Sequence, residues 1–122
     1  MSAARVAHVQ VATLAMEAGF DDRAPGGAVT VALCGALEHD PPCPLAPHHT
    51  QVEVRDARAT IRVVFVCEPT HEFEVRSRID ASLAGGGFCG PDGRTSTWRM
   101  LEAHAGHLDP SEHELADRLL ET

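Results

Sequence analysis

The residues with the clearest chemical potential lie close together, in the twelve positions from 38 to 49. This stretch contains His39, Cys43, His48 and His49, and Cys34 lies just before it. Thiolate sulfur and imidazole nitrogen are the ligands that Zn²⁺ and copper prefer, and a set of two cysteines and two histidines satisfies tetrahedral zinc. The sequence therefore predicts a transition-metal site, with zinc as the first candidate and copper or iron after it.

The spacing of these residues is not that of a zinc finger, because the chain contains no Cys-x2-Cys pair. The competing interpretation is a proline-rich surface loop whose histidines are solvated. Adjacent residues of a strand point to opposite faces, so His48 and His49 can both reach one ion only from the loop or its last turn. If a metal binds, Asp40 can orient a ligating histidine through a hydrogen bond.

Acid-base catalysis without a metal is an alternative use of the same stretch. A histidine whose pKa lies near neutral pH can act as a general base when a carboxylate lies beside it. His39 or His48 with Asp40 would form such a pair, and His49 is a further catalytic candidate. A nucleophilic role for Cys43 requires a base placed by the tertiary structure. The sequence thus leaves open whether the chain is an enzyme.

Five more histidines are spread along the rest of the chain. Each of them, taken alone, is more typical of a surface or core histidine than of a ligand. They would join a site only if the fold brought them to the loop. These residues are His8, His71, His104, His107 and His113.

Four prolines make the stretch from 38 to 49 unsuitable for a helix or an inner strand, since proline fixes φ and lacks a backbone donor. We expect a stiff loop of polyproline type. Strands are predicted before and after it from runs rich in valine or alternating in polarity. The predicted strands are 5–14, 28–37, 51–55, 60–67 and 95–103.

Two helices are predicted in the second half of the chain. The first runs from Thr70 to the stop at Gly85, with acidic residues in its first turn. The second begins at Asp109, followed by a proline and, three residues after the aspartate, by Glu112. The glycine-rich residues 85–90 match G-x-G-x-x-G, but they follow a helix and precede a strand, so we interpret 85–93 as a flexible connection.

These elements predict an α+β fold formed by residues 1–122 as one domain. Its architecture would be a single antiparallel-rich sheet of about five strands with two helices packed on one face, in the order ββββαβα, and a ferredoxin-like variant is one form of it. Trp98 lies on the last predicted strand, where it would serve as a core residue or anchor a homodimer contact.

Composition limits the partners. The formal charge is -8, with no lysine and no basic stripe, which disfavours nucleic acid and anionic membranes. No window approaches the roughly 20 apolar residues needed to span a bilayer. The absence of lysine, asparagine and tyrosine is typical of a GC-rich bacterial genome. With no secretory signal in view, we expect a cytoplasmic protein with reduced cysteines, which binds a small molecule or metal and forms a homodimer.

Overall fold

The computed structural model describes residues 4–17, 19–34 and 46–122. Within these ranges the chain forms five strands and three α-helices, and a short 3-10 turn precedes each of the last two helices. In chain order they are β1 (Val6–Met16), α1 (Ala24–Cys34), β2 (His48–Arg55), β3 (Arg58–Cys67), α2 (Glu72–Ala84), β4 (Gly87–Cys89), β5 (Thr95–Gly106) and α3 (His113–Leu120).

The strands form one sheet in the order β2-β3-β1-β5-β4, and every neighbouring pair is antiparallel. The predicted α+β class and the antiparallel five-stranded sheet are therefore confirmed. The hairpin predicted from 51–55 and 60–67 is present as β2 and β3, joined at Asp56, which adopts a positive φ of 57°.

The core lies between one face of the sheet and the helices α1 and α2. Alternate residues of β3 point into it, and Ile61, Val63 and Phe65 are almost fully buried. This period of two is the reason that a valine-rich run forms a strand with one apolar face. Trp98 of β5 is also in this core, and its indole N–H donates to the carbonyl of Leu83 in α2 at 2.7 Å.

Helix α3 packs against β3 and β1 on the other face of the sheet. Val9, Val64 and Val66 are buried there, and Ala116 is the buried residue of the helix. The predicted arrangement of two helices on one face is therefore wrong, because α1 adds a helix and α3 lies on the opposite side.

The largest correction concerns residues 28–37, which were predicted as a strand and instead contain most of α1. Ala24, Ala28, Val29 and Leu33 are buried, a spacing of about one helical turn, while Val31 is substantially exposed. Short apolar runs fit a buried strand or a buried helix equally well by periodicity, and here packing decides the outcome.

The predicted order ββββαβα is also wrong, because the observed order is βαββαββα. The ferredoxin-like variant is not fully matched, since a fifth strand and a third helix extend the arrangement.

The added strand β4 lies within the stretch predicted as a flexible connection. Gly86, with φ of 79°, makes the turn from α2, and its carbonyl accepts a hydrogen bond from the backbone N–H of Trp98.

Candidate functional site

The two adjacent histidines of the predicted metal site open β2. His48 points to the face that carries α1 and α2 and is half-buried, whereas His49 is exposed on the opposite face. Within the strand the two imidazoles therefore diverge, as neighbouring residues of a strand must. One metal ion on the helix-covered face can take only His48 of this pair.

Backbone and side-chain contacts orient the imidazole of His48. Its Nδ1 lies 3.2 Å from the carbonyl oxygen of Ala46, and its Nε2 lies 3.2 Å from Oγ1 of Thr30 in α1. Because a carbonyl oxygen can only accept, Nδ1 is the nitrogen that carries the hydrogen. In the neutral ring, Nε2 is then the basic nitrogen, and it is directed towards α1.

An open cleft of about 480 Å³ lies between α1 and β2, and we call it the α1–β2 cleft. His48 and Thr30 are part of its wall. The hydroxyl of Thr50, in the same wall, is buried and has no hydrogen-bond partner among the described residues. The lining residues are Asp22, Arg23, Gly26, Thr30, His48, His49, Thr50 and Val52.

A second histidine, His8, lies on the same face of the sheet. In the strand registers, Phe65 of β3 is the partner of both His8 in β1 and His48 in β2. The rings of His8 and Phe65 stack with 5.2 Å between centroids. Nδ1 of His8 is 3.5 Å from a carboxylate oxygen of Glu72, and its buried Nε2 has no hydrogen-bond partner among the described residues.

Polar side chains near His8 form hydrogen bonds between α2 and β1. Arg76 donates to the carbonyl of Val9 and to Oε1 of Gln10, both at 2.6 Å, and to Glu72 at 2.9 Å. The amide of Gln10 in turn donates to Asp80 at 2.9 Å. The Arg76 hydrogen bond is the main reason that the pKa of Glu72 is below its ordinary value. Glu72 is therefore an ion-pair partner rather than a proton donor near neutral pH.

Cys67 and Cys89 are free thiols, with Cys67 buried and Cys89 exposed. Burial raises the pKa of the Cys67 thiol, and the nearby carboxylate of Glu72 adds to this effect. A thiol with a raised pKa is a poor nucleophile and a poor metal ligand at neutral pH. Cys67 is therefore best explained as part of the core.

The remaining predicted ligands include residues outside the described part of the chain. His39, Asp40 and Cys43 lie outside the described residues, and Cys34 is the last residue of α1 rather than part of a strand. Their roles stay predictions. The histidines nearer the C-terminus, His104, His107 and His113, are exposed, and His71 lies 3.9 Å from Glu68. Across residues 4–17, 19–34 and 46–122, no three His, Cys, Asp or Glu side chains are grouped so as to hold a metal ion.

Thr30, Thr50 and Arg76 are residues of this region that sequence reasoning missed. Threonine is common in both helices and strands, so neither Thr30 nor Thr50 gave a signal. Gln10 did offer one, since it is a polar residue inside a valine-rich run at an inward position. A buried amide requires hydrogen-bonding partners, which here are Arg76 and Asp80.

None of the described helices is long and apolar enough to cross a bilayer. Comparisons with protein-family models, with curated proteins and with solved structures found no match for this chain. The case for a function therefore depends on its own residues.

Proposed function

We propose that this chain is a small transition-metal-binding protein, with zinc as the first candidate and copper or iron after it. The observation that carries the proposal is the orientation of His48. Metal-binding histidines usually donate their second ring N–H to a carbonyl or carboxylate, which fixes the tautomer and the ring plane. His48 has this arrangement, with Nδ1 directed to the carbonyl of Ala46 and Nε2 directed to the α1–β2 cleft.

The other ligands of the proposed ion come from the cysteines and histidines just before β2. His39 and Cys43 are the first choices, and Cys34 completes a Cys2His2 set with His48. Since the described residues hold no three-ligand group, residues outside them have to supply at least one ligand of a three-ligand site and at least two of a four-ligand site. His49 also lines the α1–β2 cleft, but it is the weaker ligand candidate, because its side chain belongs to the opposite face of the sheet.

The number of protein ligands decides what such a metal does. Four ligands would close the site, and the metal would then stabilise the chain between α1 and β2. Three ligands would leave one position for water or a substrate, and the metal could lower the pKa of the bound water or polarise a carbonyl. In that case we propose a metalloenzyme acting on a small organic molecule in the α1–β2 cleft. Free thiols at Cys67 and Cys89 support a reducing, cytoplasmic location.

The test compares the two neighbouring histidines. His48→Ala removes the proposed ligand, and His49→Ala is its matched control, one residue away on the other face. We expect protein purified without a His-tag to lose most of its bound metal in the His48 variant and to keep it in the His49 variant, as measured by elemental mass spectrometry. Equal metal content in the two variants, whether retained or lost, would contradict the assignment.

A second candidate is a metal-free domain that binds a small ligand in the α1–β2 cleft. The buried hydroxyl of Thr50, which has no hydrogen-bond partner among the described residues, favours it, because such a group usually has a partner in the functional state. Melting temperatures of Cys43→Ala and His48→Ala help to separate the candidates. A structural metal site predicts a large fall in both variants, whereas a ligand cleft predicts weaker binding of the ligand with little change in melting.

A further inference from the structure

Strand pairing brings three arginines from separate parts of the chain into one row across the sheet. Arg55 of β2 lies opposite Arg58 of β3. On β1, Ala15 lies opposite Arg58 on one side and Arg99 of β5 on the other. Residues directly opposite each other share a face of the sheet. Ala59, the neighbour of Arg58, belongs to the core under α1 and α2, so the three arginines lie on the other face. We call them the arginine row.

The arginine row is exposed, and α3 covers a different part of this face, around Val64. None of the three guanidinium groups forms a hydrogen bond or an ion pair with a described residue, whereas Arg62 on the same face pairs with Glu112. Like charges directly opposite each other on two strands repel. The placement of Arg55 against Arg58, in a chain with a formal charge of -8, therefore indicates that an anion from solution balances them.

A gap lies between two of these arginines because Ala15 has only a methyl side chain. The spacing of neighbouring strands puts the Cα atoms of Arg58 and Arg99 roughly 10 Å apart, on either side of the gap. Thr13 lies two residues before Ala15 on the same face of β1, opposite Thr60 of β3, so hydroxyl groups border the gap. An open groove of about 550 Å³ is lined in part by Thr13, Thr60 and Arg58. The gap thus has charged donors on two sides and hydroxyl donors on a third.

Acidic residues on the same face restrict the ligand to one small anionic group. Glu53 and Glu102 flank the two threonines, one on β2 and the other on β5. Glu53 and Asp56 also line the groove. A polyanion such as nucleic acid laid across this face would meet these carboxylates and be repelled. Only a group small enough to stay between the arginines avoids this repulsion.

The geometry favours a phosphate group over a carboxylate. A carboxylate is planar, and one guanidinium satisfies it in a bidentate pair. A phosphate group carries a charge of about −1.5 to −2 and three accepting oxygens, so it can accept from guanidinium groups on two sides. We propose that the arginine row binds the phosphate group of a small molecule over Ala15. Arg58 and Arg99 donate to it from either side, and the hydroxyl of Thr13 donates from a third. Arg55 adds positive charge beside them.

An NMR titration of the full chain with inorganic phosphate tests the site. Ionic strength and pH are held constant, and acetate is titrated in the same way for comparison. We expect phosphate to cause saturable shifts at Ala15, Arg58 and Arg99, and acetate to cause none of that size. The same shifts should occur in His48→Ala, because the arginine row lies on the other face of the sheet from the proposed metal ligand. The proposal fails if no saturable shifts occur at the row, if acetate matches phosphate, or if a natively folded His48 variant loses the shifts.

Two variants separate this site from a general attraction of anions. Arg58→Gln removes one donor, and Ala15→Val fills the gap without changing the charge, with a residue that suits a strand. We expect each to weaken phosphate binding about tenfold, the effect of losing a charge-assisted hydrogen bond or the space for it. The matched controls are Arg118→Gln on α3 and Ala105→Val on the opposite face of β5, both at exposed positions. They should alter the affinity less than about twofold, since remote surface charges are screened. Equal weakening by Arg58→Gln and Arg118→Gln, or unchanged binding in Ala15→Val, would overturn the assignment.

Discussion

Arg76 connects α2 to the sheet at the level of a single side chain. Its guanidinium contacts Glu72 on its own helix and, across the core, the backbone of Val9 and the amide of Gln10. It also lies over the ring of Phe65, with its Cζ 5.4 Å from the ring centroid. Arginine suits this position because its planar fork donates in several directions and stacks on an aromatic face.

Replacing Arg76 by alanine should therefore destabilise the protein by about 1–3 kcal/mol, since Val9 and Gln10 would lose charge-assisted hydrogen bonds. Arg78→Ala is the control, because Arg78 also pairs with a glutamate four residues earlier on α2. The Arg78 side chain is 54% exposed, against 18% for Arg76. Its loss should cost less than about 0.5 kcal/mol. Urea unfolding of both variants measures the difference, and equal effects would contradict this role of Arg76.

The sequence was enough to select candidate residues of the site, but it did not predict which side chains they contact. It identified His8, His48 and His49 as candidates, but it placed His48 and His49 in the loop before the strand 51–55, whereas both belong to β2. It could not predict that Thr30 lies beside His48, because residues 28–37 were assigned to a strand rather than to α1. Side-chain partners separated along the chain depend on packing, which local patterns do not specify.

Arg62 of β3 links the start of helix α3 to the sheet. Arg62 donates to both carboxylate oxygens of Glu112, at 2.9 and 2.6 Å, and to the carbonyl of His107. Glu112 also accepts from the backbone N–H of Asp109, which caps the start of the helical segment. The Arg62 hydrogen bond is the main reason that the pKa of Glu112 is below its ordinary value. The same pair raises the pKa of Arg62.

This contact should make part of the stability dependent on acid pH. A carboxylate with a lowered pKa in the folded state stabilises the fold above its unfolded pKa, and the contribution disappears as pH falls through the folded pKa. We therefore expect Glu112→Gln to lower stability by about 1 kcal/mol at neutral pH and to lose less than wild type on acidification to about pH 3. Urea unfolding at both pH values gives the comparison.

The control for this experiment is Glu114→Gln, which changes an exposed acid in the first turn of the same helix. Its acid dependence should match that of the wild-type protein, because Glu114 is remote from the buried side of α3. An acid dependence of the Glu112 variant that is indistinguishable from wild type would show that Arg62 and Glu112 do not stabilise the fold as a pair.

Elements with strong local signals were predictable, and those determined by packing were not. The β2–β3 hairpin alternates cleanly, α2 has acids at its start and an apolar stripe, and the segment leading into α3 begins with Asp109, Pro110 and Glu112. For α1, valine and threonine favoured a strand, and only its burial against α2, β2 and β4 reveals the helix. β4 is too short for a periodic signal.

For the whole molecule, the sheet separates two kinds of surface. One face is covered by α1 and α2 and carries His48 and the α1–β2 cleft. The other is partly covered by α3 and exposes the side chains of the odd-numbered residues of β2, including His49. This division places the side chains of His48 and His49 on opposite sides of one strand, so each can be substituted separately.

Metal analysis of the wild-type protein shows whether the chain binds a transition metal. The protein should be purified without added metal and without a His-tag, then measured by elemental mass spectrometry together with its concentration. The proposal predicts about one metal ion per chain, with zinc the leading element, because a Cys/His site with three or four protein ligands retains its ion through purification. A content well below one ion per chain for every transition metal would contradict it.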